Sequence, residues 1–328
     1  MNLHNDLDGF TALLNIIGES TGIRSDILEK DYYITLFLKE LSEWQDELPA
    51  YFKGGTALYK TLGSIRRFSE DIDLTVCVEG ISNSQAKKRL EKAANGYDSL
   101  PRTVMKEMEN NQKGSITSVY DYTSVYGAVI PDPLQRFSHV KVEATSFTVS
   151  EPYTPLTTAP LVYDRAADDL KYILRSQYDV MPFSINTIRL ERIFVDKVFA
   201  SEFYYQRQEY FDVSKHIYDL AVMSKLEEIT TLLSDPAALT DMMAFKRREE
   251  RARLGSDLSD KPVSDFEIFK CMSVNEALRD RFISMQDIYI FDDNDKMGFQ
   301  DVAASLSKIQ ASLLNEHPMK KRKGSKPA

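Results

Sequence analysis

Apolar residues recur at helical spacing from residues 7 to 41, and Ser25 stands ready to cap "DILEKDYYITLFLKEL", so the pattern predicts two helices at the start of the chain. The period then shortens. In "DIDLTVCV" the apolar Ile72, Leu74, Val76 and Val78 alternate with Asp71, Asp73, Thr75 and Cys77, the two-residue period of a strand, which puts both aspartates on one face. "NSQAKKRLEKAANG" predicts a charged helix, and the polar, Tyr-rich residues 115–126 predict hairpin strands. "HVKVEATSF" alternates again, with Val140, Val142 and Ala144 on one face and Lys141, Glu143 and Thr145 on the other. The proline-rich residues 151–160 predict a boundary or a long loop, because proline fixes φ and lacks a ladder donor. Beyond residue 186 the pattern is helical through "TIRLERIFVDKVFASEFYYQRQEY", "DVSKHIYDLAVMSKLEEITTLL" and "QDVAASLSKIQASLL", so the second half is expected to be a helical domain. The closing "KKRKGSKPA" is basic and of low complexity, expected to be disordered.

With 328 residues, 43% apolar and 28% charged, the chain has a globular composition and the length for one large domain or two ordinary ones. Its net charge of −9 argues against a protein that binds polyanions by bulk charge. A nucleic acid would have to meet a local basic patch, for which "KRREERAR" and "KKRLEK" are the candidate linings. Cys77 and Cys271 lie far apart and the four histidines are scattered, which argues against a disulfide framework or a zinc site and fits a reducing cytosol. The first residues lack a basic start followed by a long apolar run, and no apolar segment reaches membrane-spanning length, so a soluble, cytoplasmic protein without a membrane partner is expected.

Two carboxylates at i and i+2 on one strand face repel each other unless a cation lies between them. A divalent cation resolves that conflict, and Mg2+, held by one or two carboxylates plus substrate phosphates, is the expected species, with Mn2+ as the substitute. Gly54 and Gly55 before Thr56 and a short helical run add a turn where backbone can approach a phosphate closely. A D-x-D alone is common on solvated strand faces, and a lone Gly-Gly says less still. Arg66, Arg67 and Ser69 directly before the aspartates tip the combination towards a phosphate-handling site.

"GGTALYKTLGSIRRFSEDIDL" resembles the signature of the AbiEii/AbiGii-type toxin nucleotidyltransferases, a branch of the DNA polymerase β-like superfamily found in bacterial abortive-infection and toxin–antitoxin systems. "LERIFVDK" looks like that family's Arg-x-Phe-x-(acid)-Lys helix, "KHIYDL" like its basic-His-x-Tyr-Asp-Leu segment, and "LEKDYYIT" is similar to a segment ahead of the glycine turn. These motifs run in the family's order from about residue 27 to 220. The family usually has Thr where this chain has Ile193 and often Trp where it has Val195, both expected to be packing positions.

The resemblance implies an α+β fold: a polymerase β-like nucleotidyltransferase core, a mixed sheet with flanking helices, over residues 1–160. A mainly helical C-terminal domain that completes the active site would span 161–319, and a basic tail 320–328. It implies metal ligation by Asp71, Asp73 and a third acid on a neighbouring strand, for which Glu143 is the best candidate; the alternative is a strand glutamate paired with Lys141 or another surface cation. It implies nucleotide binding by Gly54, Gly55, Thr56, Arg67, Ser69 and Lys197, although Arg67 and Ser69 could equally be structural. For Lys197 the ordinary reading is a snorkelling surface lysine. Asp219 is implied to be needed for activity, by positioning the lysine or the nucleotide; the alternative is a surface pair with Lys215 at i, i+4. His216 is expected to be a packed side chain rather than a metal ligand. The implied function is a nucleotidyltransferase toxin of a toxin–antitoxin or phage-defence system. It would move nucleotides from an NTP to an acceptor, first of all the tRNA 3′ end, with loss of pyrophosphate, and be opposed by an antitoxin encoded nearby. The competing readings are a protein-nucleotidylating enzyme, a non-catalytic nucleotide-binding regulatory module, and a DNA-binding repressor that uses the "KKRK" tail.

Overall fold

The computed structural model describes residues 2–62, 66–127, 137–148, 150–253 and 258–314; the basic tail therefore lies outside the described residues. The chain divides into two compact units, Met1–Ile193 with Ser284–Lys296, and Phe194–Ile283 with the residues from Met297 on.

The first unit opens with helices α1 (Leu7–Thr21) and α2 (Ser25–Trp44). Asp6 caps α1 by accepting from the Gly9 amide at 3.0 Å, and Gly22, at φ 74°, ends it in the left-handed conformation that glycine adopts without strain. Ser25 is not the cap of α2: it is the first helical residue, after Arg24, which makes no side-chain cap bond. Strand β1 (Ala50–Lys53) runs into a short helix α3 (Gly54–Ala57), which continues as a π-helical segment, Leu58–Leu62. Then come β2 (Asp71–Val76), α4 (Asn83–Asn95), β3 (Arg102–Thr103), β4 (Asn110–Gln112), β5 (Ser115–Asp121), β6 (His139–Thr145) and β7 (Tyr153–Thr158). Helices α5 (Leu161–Asp164) and α6 (Asp168–Tyr178) precede β8 (Phe183–Ile188).

The strands form one mixed sheet in the order β3-β5-β6-β2-β1-β8-β7, with β4 also paired to β5. β2 lies between β1, antiparallel, and β6, parallel. One sheet face is apolar: Ile72, Leu74, Val76, Val140, Val142 and Ala144 are fully buried. Helices α2 and α4 cover that face, since the Phe37 ring meets Tyr120 at 4.8 Å and the Tyr120 hydroxyl donates to the Ala94 carbonyl at 2.9 Å. Tyr120 faces Val140 across β5 and β6, so the polar residues between these apolar ones emerge on the opposite side.

The proline-rich 151–160 segment is not a loop. It forms β7, which pairs only with β8 at the end of the sheet, where Pro155 breaks no ladder on its free side. Residues 161–193, which the expected 161–319 domain would group with the helical half, pack in the first unit, where β8 pairs with both β7 and β1.

Among its described residues the second unit is helical: α7 (Leu190–Gln206) from Phe194 on, α8 (Tyr210–Met223), α9 (Glu227–Ser234), α10 (Pro236–Ala252), α11 (Glu267–Cys271), the first part of α12 (Glu276–Tyr289), and α13 (Phe299–Leu313). Ile193 and Val195, where the chain departs from the family pattern, are buried, as packing positions should be.

Candidate active site

The Gly54–Gly55 turn joins β1 to α3 against the start of β2. Gly54 has φ 82°, and a Cβ there would lie 2.1 Å from Asp73 Oδ2; a Cβ on Gly55 would lie 2.8 Å from Arg67 Nη2 and 2.9 Å from Ser69 Oγ. At Gly54 the positive φ and the approach of Asp73 call for glycine, and at Gly55 a side chain would have to displace Arg67 and Ser69. Thr56 is buried and its hydroxyl donates to the Asp71 carbonyl, tying the turn to the strand. Arg67 is also buried; its Nη1 donates to the Phe68 carbonyl at 3.0 Å.

Strand register assembles the charges. Asp73 faces Glu143 on β6 and Lys53 on β1, while Asp71 faces Lys141 on β6. The three predicted acids are therefore neighbours on the polar sheet face, next to the glycine turn. Lys141 pairs with Asp71 rather than Glu143, Nζ to Oδ2 at 2.7 Å. Burial, then the Glu143 charge and that of Asp71, push the Asp73 carboxyl up to about 7, with Lys53 and Lys141 opposing. Burial alone would lower the Lys141 ammonium, but Asp71 beside it, with Asp73 and Glu143, outweighs that and holds it above its ordinary value. So the ammonium groups only partly offset three crowded carboxylates. Hard oxygen donors with uncompensated negative charge fit a divalent cation such as Mg2+ or Mn2+. As the side chains stand, no three acidic, imidazole or thiol groups among the described residues are gathered as a metal cluster; the cation among them is Lys141.

In the second unit Lys197 is no surface lysine. It is buried on α7 and its Nζ lies 2.6 Å from Oδ2 of Asp219, which is fully buried on α8. Lys215 pairs instead with Asp212 at 3.2 Å, so the i, i+4 alternative for Asp219 does not hold. His216 stacks on Tyr204 at 5.3 Å, a packed ring as expected.

Two features escaped the sequence reading. One is the placement of two ammonium groups, Lys53 beside Asp73 and Lys141 beside Asp71: alternation puts Lys141 on the polar face, but only register gives its partner. The other is the run Glu29, Lys30, Asp31 inside "LEKDYYIT", all buried on α2. Glu29 accepts from Ser124 Oγ at 2.7 Å and the Val125 amide at 2.8 Å, and Lys30 donates to the His139 carbonyl. Asp31 accepts from Lys60 Nζ at 2.9 Å, from the Tyr59 hydroxyl and from the Leu161 amide, which holds the π-helical segment that follows the glycine turn. By contrast "KRREERAR" is only partly open: Arg248 and Arg251 are exposed, but the first two residues of the run are engaged within the fold. Lys246 is buried between Asp196, at 3.1 Å, and Glu250, at 2.9 Å, and Arg247 donates to the carbonyls of Ser259 and Lys261.

The glycine turn, the acids on adjacent strands and, in the second unit, the buried lysine–aspartate pair lie in the segments that carry the sequence resemblance. The family model described as "Nucleotidyl transferase AbiEii toxin, Type IV TA system" matches residues 36–305, most of the chain. The chain belongs to this family of toxin nucleotidyltransferases. Comparison with curated protein sequences returns no match. No helix among the described residues is long and apolar enough to cross a membrane.

Proposed function

We propose that the protein is a metal-dependent toxin that transfers nucleotides from an NTP to an acceptor, the tRNA 3′ end first of all, releasing pyrophosphate, and that its mixed sheet is a polymerase β-like catalytic core. The observation that carries this reading is the in-register set Asp71, Asp73 and Glu143 on one sheet face beside the Gly54–Gly55 turn. Asp71, Asp73 and Glu143 would hold Mg2+ or Mn2+, which when bound would acidify the attacking hydroxyl and offset charge developing on the phosphates. Gly54 and Gly55 would let the backbone of the turn approach a phosphate closely, with Arg67 and Ser69 packed beside Gly55, and Thr56 fixes the turn to β2. Lys197, oriented by Asp219, supplies the ammonium that the family motif assigns to the triphosphate; its compact, mobile charge suits phosphates that shift during transfer. Family membership also supports an antitoxin partner and a cytoplasmic site of action.

The test is to incubate the purified protein with each labelled NTP, Mg2+ and total tRNA. Label on tRNA with pyrophosphate release is the expected result. Label on protein would redirect the acceptor to a polypeptide hydroxyl, and no transfer to any acceptor would favour a nucleotide-binding regulatory module.

A further inference from the structure

We propose that Lys141 makes metal binding at the carboxylates conditional on the nucleotide: its ammonium is the resident counter-ion of Asp71, which a bare divalent cation must displace. The inference rests on the metal reading above and adds an order to it.

The geometry is direct. Asp71 and Lys141 face each other across paired parallel strands, and Lys141 Nζ is 2.7 Å from Asp71 Oδ2. Lys53 faces Asp73 from the other side. Three carboxylates against two ammonium groups leave one net negative charge on this patch of sheet when all five are ionised. A bare divalent cation would reverse that sign and meet two cations at short range, so it binds only by breaking the Asp71–Lys141 pair. A metal–nucleotide complex brings the negative phosphates with it, and the same two ammonium groups become favourable. Lys141 can give way: its side chain is 28% exposed on a flexible stem. An enzyme built so is not held in a metal-loaded form without substrate, and metal and nucleotide each raise the other's affinity.

Mn2+ is the probe, its free concentration read by electron paramagnetic resonance, alone and with each of the four non-hydrolysable NTP analogues. Wild-type protein should bind Mn2+ alone weakly and bind it tightly with its preferred analogue. Removing the competing ammonium in Lys141→Met should tighten Mn2+ alone by about tenfold or more, and shrink the enhancement by nucleotide by a similar factor. Lys141→Gln should follow Lys141→Met, and Lys141→Arg should behave as wild type, each checked for native fold by circular dichroism. Unchanged or weaker Mn2+ binding in Lys141→Met and Lys141→Gln overturns the inference, because an ion pair that merely staples two strands would loosen the site when cut. The two levels separate cleanly. If Asp73→Asn abolishes Mn2+ binding while the Lys141 variants do not tighten it, this inference alone fails; if no variant binds Mn2+ with or without nucleotide, the metal reading falls with it.

Discussion

At Gly54 a side chain has nowhere to go. Its φ of 82° and the 2.1 Å gap between a Cβ and Asp73 Oδ2 mean that Gly54→Ala must both strain the backbone and move a carboxylate. That variant should lose about 1–3 kcal/mol of stability and nearly all transfer, read by denaturant melts and pyrophosphate release. Lys197 and Asp219 are the second residue-scale case. Cutting a buried pair from one side removes a close compensating charge from the other, so Lys197→Met and Asp219→Asn should each cost up to about 3 kcal/mol, and the double variant clearly less than their sum. Nucleotide affinity should fall in Lys197→Met and be poorly restored in Lys197→Arg, whose planar fork does not replace a point charge. Additive losses would mean that the two residues do not work as a unit. At this scale strand alternation made Asp71, Asp73 and the polar face of Glu143 legible in the sequence. The partner of Lys141 was not, because alternation fixes a face and not the register between strands about seventy residues apart.

Helix α2 exposes the limit of periodicity at the scale of elements. Its existence is plain from apolar spacing, but spacing does not tell that Glu29, Lys30 and Asp31 in succession are all buried, which they are because each has a partner on a different segment. Removing Asp31 leaves Lys60 inside the protein with one carbonyl partner, that of Ala159 at 2.6 Å. Asp31→Ala is therefore expected to cost about 3 kcal/mol or more and to lower transfer through the π-helical segment behind the glycine turn, measured by thermal melts and nucleotide affinity together. Within the basic run of α10, Lys246 is likewise buried against acids. Lys246→Met should destabilise the protein rather than weaken RNA use selectively, since burial would lower its ammonium but Asp196, Glu249 and Glu250 hold it above its ordinary value. Strand β7 was missed because proline excludes only strands with ladders on both sides, and an edge is visible only once the sheet is assembled.

For the whole molecule, a net charge of −9 sets how an RNA acceptor can be held. Transfer to tRNA should fall more steeply with added salt than nucleotide affinity does, because phosphate contacts at a surface patch release counter-ions. Equal, shallow slopes would move the acceptor to a protein or small-molecule hydroxyl. The sharpest distinction between a catalytic carboxylate and a structural one lies at Asp73. Its carboxyl rises from 3.8 to about 7 in the metal-free fold, so the folded chain binds that proton more tightly than the unfolded chain. The stabilisation is full below about pH 4 and is lost as pH rises through 7. Without metal at pH 8, Asp73→Asn should thus be more stable than wild type by about 2 kcal/mol, with the gap closing towards pH 4. The decisive measurement is pyrophosphate release by Asp73→Asn and wild type under Mg2+, NTP and tRNA. Release is expected to fall on the order of a thousandfold in the variant, although it is the more stable protein. Release at the wild-type rate from a folded Asp73→Asn would contradict a metal-dependent nucleotidyl transfer centred on these acids.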